Sequence, residues 1–246
     1  MDKESVYLAI DAGNSRLKAG WFASQKLIKK VEISMDETNT LDTMIVSGPA
    51  LSACIIGSVS ASVEEIATRI PKGIPLIYAS HELRLNFNNK YLSPATLGID
   101  RLAVMCAASA MQEESAILVI DAGTCITYDI LTKEKNYEGG AISPGLQMRY
   151  RALGTFTGKL PLLSAPEKPM LGFGKNTAES IHAGICKSII LEMEGWIVYM
   201  QKEFGSVKVV VTGGDGIYFA PHLKYANFAE PDFVLKGLHE LLLYNL

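Results

Sequence analysis

Two short segments that combine a carboxylate with a glycine have the clearest chemical potential in this sequence. Asp11-Ala12-Gly13 follows an apolar run at 6–10, and Asp121-Ala122-Gly123 follows another at 116–120. A strand that ends in Asp and Gly places a carboxylate at a sheet edge, and the missing Cβ of glycine lets backbone N–H groups converge on an anion. Such a turn suits phosphate oxygens, and its carboxylate suits Mg²⁺, which prefers few carboxylates together with phosphates. The alternative is a structural turn in which Asp accepts hydrogen bonds from its own backbone.

The two segments are copies of one pattern. Residues 8–13 align with residues 118–123 with five of six identical, and the offset from Asp11 to Asp121 is 110 residues. A long internal period indicates a duplicated unit. Similarity between two buried strands explains the shared Leu and Ile, but it does not explain Asp-Ala-Gly at the same place in both. We therefore expect two related hairpins that face each other and hold a nucleotide triphosphate between two lobes.

A third candidate site is Leu97-Gly98-Ile99-Asp100-Arg101, where a glycine turn enters a predicted helix. Asp100 either caps the helix N-terminus, a position that Asp favours, or orients and deprotonates a substrate hydroxyl. In the second case Arg101 would bind an anionic group of the substrate. The residue types leave both interpretations open, and one residue can serve both roles.

Other polar and glycine-rich positions are weaker signals. Lys18 lies on the second strand of the first hairpin, where it is either solvated or placed against phosphates. Thr212-Gly213-Gly214-Asp215-Gly216 follows an apolar run and would let a base and ribose approach the backbone. The segment 172–177 is not a Walker A motif, because Pro169 stands where that motif has its first glycine.

The elements that must position these residues form two similar halves. In the first half the patterns predict strands at 6–10, 17–22, 27–33, 53–59 and 75–79. They predict helices near 40–47 and over 100–112, and a further helix that begins near 62–65. In the second half they predict strands at 116–120, 127–131, 137–142 and 207–211, with helices over 177–204 and 233–243. We expect the division between the halves to lie between residues 114 and 115.

Length and charge exclude several classes of protein. The chain has 246 residues, 48% of them hydrophobic and 20% charged, so it is globular rather than disordered. Its net charge of −3 argues against broad nucleic-acid binding. The mean hydropathy is +0.18, but no apolar run approaches the roughly 18 residues of a membrane-spanning helix.

The N-terminus and the cysteines indicate a compartment. The start of the sequence lacks the basic, apolar and small-residue series of a secretory signal. Cys54, Cys106, Cys125 and Cys186 form no CxxC pair, and the four histidines show no HExxH spacing. These patterns predict buried, reduced thiols in a cytoplasmic protein.

Taken in order, the motifs resemble a known family. Paired Asp-x-Gly hairpins in β-β-β-α-β-α-β halves are similar to the superfamily of acetate and sugar kinases, heat-shock chaperone ATPases and actin. Within it, the motifs resemble type III pantothenate kinase and span nearly the whole chain. The matching segments are Asp11-Ala-Gly-Asn-Ser-Arg-Leu-Lys18, Gly98-Ile-Asp-Arg101, Asp121-Ala-Gly-Thr124, Gly139-Gly-Ala-Ile-Ser-Pro-Gly145, Thr177 at a helix start and Thr212-Gly-Gly-Asp215. The departures are slight: Ser15 where Thr is common, and Cys125 where Ala is common.

The resemblance implies an α/β fold of two duplicated ribonuclease-H-like (actin-like ATPase) halves, 1–114 and 115–246, with the nucleotide cleft between them. It implies a phosphotransferase with an alcohol acceptor. The reaction would be ATP-dependent phosphorylation of pantothenate at its primary hydroxyl to 4'-phosphopantothenate, the first step of coenzyme A biosynthesis. It also implies a homodimer with the pantothenate site near the subunit interface, and no nucleic-acid or membrane partner.

The resemblance also implies roles for single residues. The ATP phosphates would bind the first hairpin, with Asp11 near Mg²⁺, and Thr124 would contact ATP from the second hairpin. Asp121 would hold the monovalent cation, K⁺ or NH₄⁺, and Asp100 would accept the proton. The residues of the phosphate hairpin are Asp11, Ala12, Gly13, Asn14, Ser15, Arg16, Leu17 and Lys18, and those of the pantothenate site are Tyr91, Gly98, Ile99, Asp100, Arg101 and Thr177.

Three other functions are weighed against this one. A sugar or amino-sugar kinase on the same scaffold would need a polyol-binding cluster of Asp, Asn and Glu, whereas Tyr91, Arg101 and apolar residues surround Asp100 in the sequence. An ATP-binding regulator or chaperone-like switch would need a large additional partner-binding domain. A degenerate family member that acts as a transcription accessory would not be expected to retain Asp11, Asp100 and Asp121.

Overall fold

A computed structural model describes residues 5–13, 16–34, 37, 39–58, 63–225 and 228–246 of the chain. These residues form two compact units. The first consists of Met1–Gln112 together with Phe233–Leu246, and the second of Glu113–Asp232.

The first unit is built around a sheet with the strand order β3-β2-β1-β4-β5. Strands β1 and β2 are antiparallel, as are β2 and β3, whereas β4 is parallel to β1 and β5 is parallel to β4. The elements of this unit are β1 (Val6–Ala12), β2 (Arg16–Ala23), β3 (Lys26–Ser34), α1 (Asn39–Val46), β4 (Ala53–Ser58), α2 (Val63–Ala67), β5 (Leu76–Tyr78), β6 (Asn88–Asn89), a 3-10 turn (Pro94–Thr96) and α3 (Ile99–Ala110).

The five strands of the second unit repeat this arrangement in the order β11-β10-β7-β8-β9. The hairpins β7–β8 and β8–β9 are antiparallel, and β10 and β11 are added in parallel. The shared strand order is the architecture expected of a duplicated unit. The elements are β7 (Ala116–Ala122), β8 (Cys125–Leu131), β9 (Asn136–Pro144), α4 (Leu146–Phe156), α5 (Thr177–Phe204), β10 (Val207–Thr212), α6 (Gly216–Phe219), a 3-10 turn (Ala220–His222) and β11 (Phe228–Ala229).

The predicted strands and helices form, with ends that lie within two residues of the expected ones. Apolar runs between turn residues specify buried strands, so this agreement follows from local patterning. Helix α4 was not expected. Only Leu146 and Tyr150 are buried in it, and Arg149, Arg151 and Gly154 interrupt its apolar pattern.

The division of the chain differs from the one expected at residues 114 and 115. The C-terminal helix α7 (Phe233–Asn245) belongs to the first unit, not the second. Its buried face, which includes Leu235 and Leu238, packs against α3 and β1. The two helices approach so closely that a Cβ on Gly237 would overlap the carbonyl oxygen of Ala103. The small residues along α3 therefore give α7 its packing partner.

The unit cores explain why these elements stay together. In the first unit, Trp21, Leu8 and Ile10 are fully buried between the sheet and its helices. In the second, α5 supplies Ile185, Ile189 and other apolar residues to a core shared with β7 and β10. All four cysteines are free, as predicted; Cys54, Cys106 and Cys186 are buried as expected, whereas Cys125 is only partly buried. Within the described ranges, the helices are too short or too polar to cross a bilayer.

The close packing of α7 on α3 can be tested by adding one methyl group. We expect Gly237→Ala to lower the free energy of unfolding by about 1–3 kcal/mol, because overpacking a contact without free space costs more than the helix propensity gained from alanine. Urea denaturation measures the change. The matched control is Gly195→Ala in α5, where an added Cβ meets nothing within 4 Å; alanine should raise stability there by up to about 1 kcal/mol. Equal effects at the two positions would show that the helices do not need this close contact.

Candidate functional site

The first unit places Asp11 at the end of its central strand, beside one cation. Asp11 on β1 is in register with Lys18 on β2 and with Gly57 on β4. Residues in register on neighbouring strands project to the same face of a sheet, so the Asp11 carboxylate and the Lys18 side chain share that face. The turn is closed by the Gly13 N–H, which donates to the Arg16 carbonyl oxygen at 3.0 Å.

Burial and a second carboxylate change the titration of Asp11. Burial raises the pKa of Asp11 to about 6 from an ordinary value of 3.8; Lys18 opposes the rise and Asp100 adds to it. The electrostatic influence of Asp100 shows that the start of α3 lies near the end of β1. Two carboxylates and one ammonium group are therefore brought together from positions far apart in the sequence.

Gly57 explains how α3 reaches this position. A Cβ at Gly57 would lie 3.3 Å from the side chain of Ile99 and 2.8 Å from that of Leu238. The first residue of α3 and the middle of α7 thus both approach the end of β4, on the face that carries Asp11. Ile99, a predicted site residue, contributes here through packing: its side chain lies against β4 at Gly57 and holds the start of α3 in place.

Asp100 is not the cap of α3. The N-cap residue is Gly98, and the helix begins at Ile99. Asp100 lies in the first turn, where a carboxylate interacts favourably with the helix dipole, and its Oδ1 accepts a hydrogen bond from the Arg101 N–H at 2.8 Å. A side chain at Gly98 would overlap that carboxylate oxygen, so glycine leaves room for it.

Arg101 and Tyr91 come together beside Asp100. The guanidinium carbon of Arg101 lies 5.4 Å from the centre of the Tyr91 ring, within the range of a cation–π interaction. Arg101 is only 5% exposed, although Arg is rarely buried in proteins. The pair forms a positively charged, aromatic wall next to the carboxylate of Asp100.

The remaining predicted residues of the first hairpin take different positions. Ala12 and Leu17 are fully buried in the core, so only their backbone groups are available to a ligand. Arg16 is exposed and forms an ion pair with Glu32 at 2.6 Å, and its hydrogen bond lowers the pKa of Glu32. Asn14 and Ser15 lie outside the described residues.

The second unit repeats the carboxylate position with different neighbours. Asp121 on β7 is in register with Thr127 on β8 and Thr212 on β10. The two threonines are 8% and 1% exposed, and within the described part of the chain neither hydroxyl has a hydrogen-bond partner. A side chain on Gly213, whose φ is +87°, would overlap the Asp121 carboxylate. Asp121, Thr127 and Thr212 therefore present oxygen-bearing side chains from three strands on one face of the sheet.

Thr124 is an exposed residue in the β7–β8 turn. The turn is closed by the Gly123 N–H, which donates to the Cys125 carbonyl oxygen at 2.9 Å. On its other side, the Gly145 N–H donates to the Thr124 carbonyl oxygen at 3.1 Å. Thr177 is also exposed; it is the first residue of α5, after the N-cap Asn176, and belongs to the second unit.

The carboxylates could hold a cation only together with other oxygen ligands. Among the described residues, no three His, Cys, Asp or Glu side chains lie close enough to form a metal site by themselves. Near Asp11 the additional oxygens would be phosphates, as Mg²⁺ prefers. Near Asp121 they are the Thr127 and Thr212 hydroxyls, which suit a larger, weakly hydrated cation.

Sequence reasoning did not identify three residues of these clusters. Thr212 stands in a motif that was noted for its glycines, and Thr127 looks like any other strand residue. Gly57 is hidden inside an apolar strand. The pairing of β7 with β8 and β10, and of β1 with β4, brings these residues to the carboxylates, and pairing partners are not encoded in a local pattern.

The comparisons with known proteins agree with one another. The family model for type III pantothenate kinase matches residues 7–198. The chain is 41% identical over 244 residues to a type III pantothenate kinase of Phocaeicola vulgatus, covering 97% of this chain and 98% of that one.

Solved structures show the same fold at low identity. One is a Campylobacter jejuni chain assigned to the Baf family of transcriptional activators, with a TM-score of 0.59, 19% identity and 97% of both chains covered. Another is a Streptomyces griseus ROK family glucokinase in complex with glucose and AMPPNP, with a TM-score of 0.51, 13% identity and coverage of 96% and 99%. The fold is that of the actin-like ATPases and sugar kinases, as the sequence motifs implied. The family model and the near full-length identity go further than the fold: this chain belongs to the type III pantothenate kinase family.

Proposed function

We propose that this protein transfers the γ-phosphoryl group of ATP to the primary hydroxyl of pantothenate, forming 4'-phosphopantothenate in the first step of coenzyme A biosynthesis. Membership of the type III pantothenate kinase family supports the reaction. The observation that carries it in the structure is that Asp100 and Lys18 both lie near enough to Asp11 to act on its charge, with Lys18 in register with Asp11 on the neighbouring strand. A proton acceptor for an alcohol thereby lies beside groups suited to a triphosphate.

Asp100 orients the pantothenate hydroxyl and takes its proton. In the transfer, the hydroxyl oxygen bonds to the γ-phosphorus while the bond from phosphorus to the β,γ-bridging oxygen breaks, and the proton passes to Asp100. Because the alcohol stays protonated until bond formation is advanced, orientation is the main contribution of this carboxylate. The hydrogen bond from the Arg101 N–H holds one of its oxygens in place.

Arg101 and Tyr91 bind pantothenate on the other side of Asp100. The planar guanidinium matches the geometry of the pantothenate carboxylate, and the Tyr91 ring fixes the position of the guanidinium. Gly98 and Ile99 set the start of α3 from which Asp100 projects. Thr177, the first residue of α5, is assigned to the pantothenate site by the family resemblance.

The first hairpin binds the phosphates of ATP. Its backbone N–H groups and the Lys18 ammonium group neutralise negative charge that develops on the transferred group. Mg²⁺, when bound with ATP, supplies further charge neutralisation at the phosphates. Asp11 fits such an ion because its buried carboxylate, near that of Asp100, gains from a nearby positive charge. The family resemblance also assigns Asn14, Ser15 and Arg16 to the phosphate hairpin and Thr124 to an ATP contact.

Asp121 holds a monovalent cation, K⁺ or NH₄⁺. The support in this structure is the pair of buried, unpartnered hydroxyl oxygens of Thr127 and Thr212 beside it. A buried oxygen without a hydrogen-bond partner costs about 1–3 kcal/mol, and a cation that it coordinates offsets this cost. The set of one carboxylate and neutral hydroxyls is typical of a singly charged ion rather than of Mg²⁺.

The protein acts as a homodimer in the cytoplasm, where ATP is available. The outer face of α5 supports association, because Leu191, Val198 and Tyr199 are 56%, 49% and 50% exposed there. Exposed apolar side chains along one helix face are typical of interaction surfaces.

A coupled ADP-release assay tests the proposed reaction. The purified protein is supplied with pantothenate, ATP, Mg²⁺ and K⁺, and a panel of sugars replaces pantothenate in parallel. We expect ADP release when pantothenate is the phosphate acceptor and none when a sugar replaces it. Turnover with a sugar and none with pantothenate would instead identify a sugar kinase on this scaffold.

The mass of the active protein in solution, measured by light scattering, tests the homodimer.

Removing the charge of Asp100 should abolish turnover without unfolding the protein. We expect Asp100→Asn to lower kcat by about 100-fold or more, the scale of a lost general base, while ATP affinity stays unchanged. Steady-state kinetics and calorimetric titration with ATP measure the two quantities. The matched control is Glu64→Gln, an exposed carboxylate in the first turn of α2, which should retain full activity. A near-normal rate for Asp100→Asn would mean that this residue serves only its helix.

Asp11 should make the ligand-free protein less stable as pH rises. The folded-state pKa is raised to about 6 from 3.8, so the protonated form is favoured in the folded state, and this contribution is lost as pH increases from about 4 through about 6. We expect Asp11→Asn to be more stable than the wild type at pH 7.5 by about 1 kcal/mol or more, and the difference to vanish near pH 4.

Urea denaturation across this pH range measures the Asp11 effect. Glu82→Gln, at an exposed position of the same unit, is the control and should show no pH-dependent gain. A constant difference between Asp11→Asn and the wild type at all pH values would rule out the titration of Asp11 as its cause.

Thr212 should determine the response to K⁺. We expect Thr212→Val to need about tenfold more K⁺ for half-maximal activity, because it removes one oxygen ligand. Without K⁺ the variant should unfold at the same temperature as the wild type or higher, since it buries no unpartnered hydroxyl. Thr157→Val is the control, because its hydroxyl donates to the Leu153 carbonyl oxygen instead. An unchanged K⁺ dependence of both activity and melting temperature would exclude Thr212 as a ligand.

A further inference from the structure

A hydrogen-bonded network in the second unit is centred on Glu192 of α5. Its Oε1 accepts hydrogen bonds from the Tyr128 hydroxyl on β8 at 2.7 Å and from the Ser143 hydroxyl on β9 at 2.5 Å. Its Oε2 accepts from Nη2 of Arg149 on α4 at 2.6 Å. One carboxylate thus joins two strands and two helices.

The charges in this network are stable at neutral pH. Burial acts to raise the pKa of Glu192, but the hydrogen bonds from Ser143, Arg149 and Tyr128 outweigh it and leave the pKa below its ordinary value. Burial and the adjacent Glu192 raise the pKa of Tyr128, which therefore remains a donor. Charge-assisted hydrogen bonds of this kind are stronger and more directional than neutral ones.

Arg149 extends the network to a turn. While one of its nitrogens donates to Glu192, its Nε donates to the carbonyl oxygen of Pro144 at 2.8 Å. Pro144 is the last residue of β9, and the backbone N–H of Arg149 donates to the carbonyl oxygen of Gly145 at 3.1 Å. Only a guanidinium can make the two side-chain bonds together, because a lysine ammonium is a single point on a flexible stem.

This turn packs directly on the turn that carries Thr124. The Gly145 N–H donates to the Thr124 carbonyl oxygen at 3.1 Å, and a Cβ on Gly145 would overlap the carbonyl oxygens of Gly123 and Thr124. Pro144 is also in register with Cys125, which follows Thr124. The backbone of Thr124 is therefore fixed by the position of the Pro144–Gly145 segment.

We propose that Arg149 and Glu192 are positioning residues for ATP: they hold the Pro144–Gly145 segment against the β7–β8 turn and so fix the place of Thr124. The proposal rests on the proposed function, because it takes Thr124 as an ATP contact. Neither residue touches the substrates. Their effect passes from Glu192 to Arg149, from there to the Pro144 carbonyl, and through Gly145 to Thr124.

Kinetics of two variants test this chain of contacts. Arg149→Lys keeps the charge but loses the bond to Pro144, and we expect it to raise the KM for ATP about tenfold, the scale of one lost charge-assisted hydrogen bond, with the KM for pantothenate unchanged. Glu192→Gln keeps the shape and should change the same parameter by less. Because both variants weaken one path, their effects should be less than additive in the double variant.

The control removes a comparable ion pair from the same unit. Lys208 on β10 pairs with Glu113, and the two side chains are 26% and 31% exposed. Lys208→Met should leave both KM values unchanged, because Lys208 is in register with Ile117, near the end of β7 that lies away from the β7–β8 turn. A loss of ATP affinity in all three variants would indicate general loosening of the unit and would overturn the proposal.

Amide hydrogen exchange supplies a readout that does not depend on activity. In Arg149→Lys and Glu192→Gln, the Gly145 and Gly123 amides should exchange several-fold faster than in the wild type, at temperatures well below unfolding, and in Lys208→Met they should not. An active wild type whose variants show unchanged KM for ATP and unchanged exchange contradicts the positioning role. If the wild type fails to phosphorylate pantothenate, the proposed function is wrong, and exchange at these amides still decides whether Arg149 and Glu192 hold the turn.

Discussion

The first unit is organised around a carboxylate buried close to another carboxylate. Asp11 ends the central strand, and burial together with Asp100 works against its ionisation. Packing fixes the start of α3 near Asp11. Helix α7 packs tightly on α3, and both helices contact the end of β4 at Gly57. Apolar packing thus holds an electrostatically unfavourable pair in position, a condition that a bound cation would relieve.

The duplicated units use one backbone arrangement for two kinds of chemistry. The residue in register with the strand-end Asp on the hairpin partner is Lys18 in the first unit and Thr127 in the second. On the parallel partner it is Gly57 in the first and Thr212 in the second. The Lys18 ammonium group suits phosphates, and Gly57 leaves room for Ile99 and Leu238, whereas two buried hydroxyls suit a weakly hydrated ion. Divergence at a few sites beside an unchanged carboxylate is sufficient to separate the two roles.

Much of the fold and part of the site could be predicted from the sequence. The strands, the long helix α5 and the two Asp-Ala-Gly turns follow from apolar runs and turn residues that act over a few positions. Helix α4 was missed because charged residues obscure its short buried face. A helix cap at Asp100 was one of two interpretations that the residue type left open. In the structure Gly98 is the cap, and the Asp100 carboxylate occupies the space that the missing side chain of Gly98 leaves.

The sequence by itself determined most of the strands and helices, the repeat and the family, because these depend on local patterns and on motifs in a fixed order. Only the tertiary structure decided that α7 joins the first unit, that Asp100 reaches Asp11, and that Thr212 lies beside Asp121. Asp11 and Asp100 are 89 positions apart in the chain, Asp121 and Thr212 are 91 apart, and Gly237 of α7 lies 134 positions after Ala103 of α3. Their approach depends on which strands pair and which helix faces fit together, and those are properties of the whole packed unit rather than of any segment.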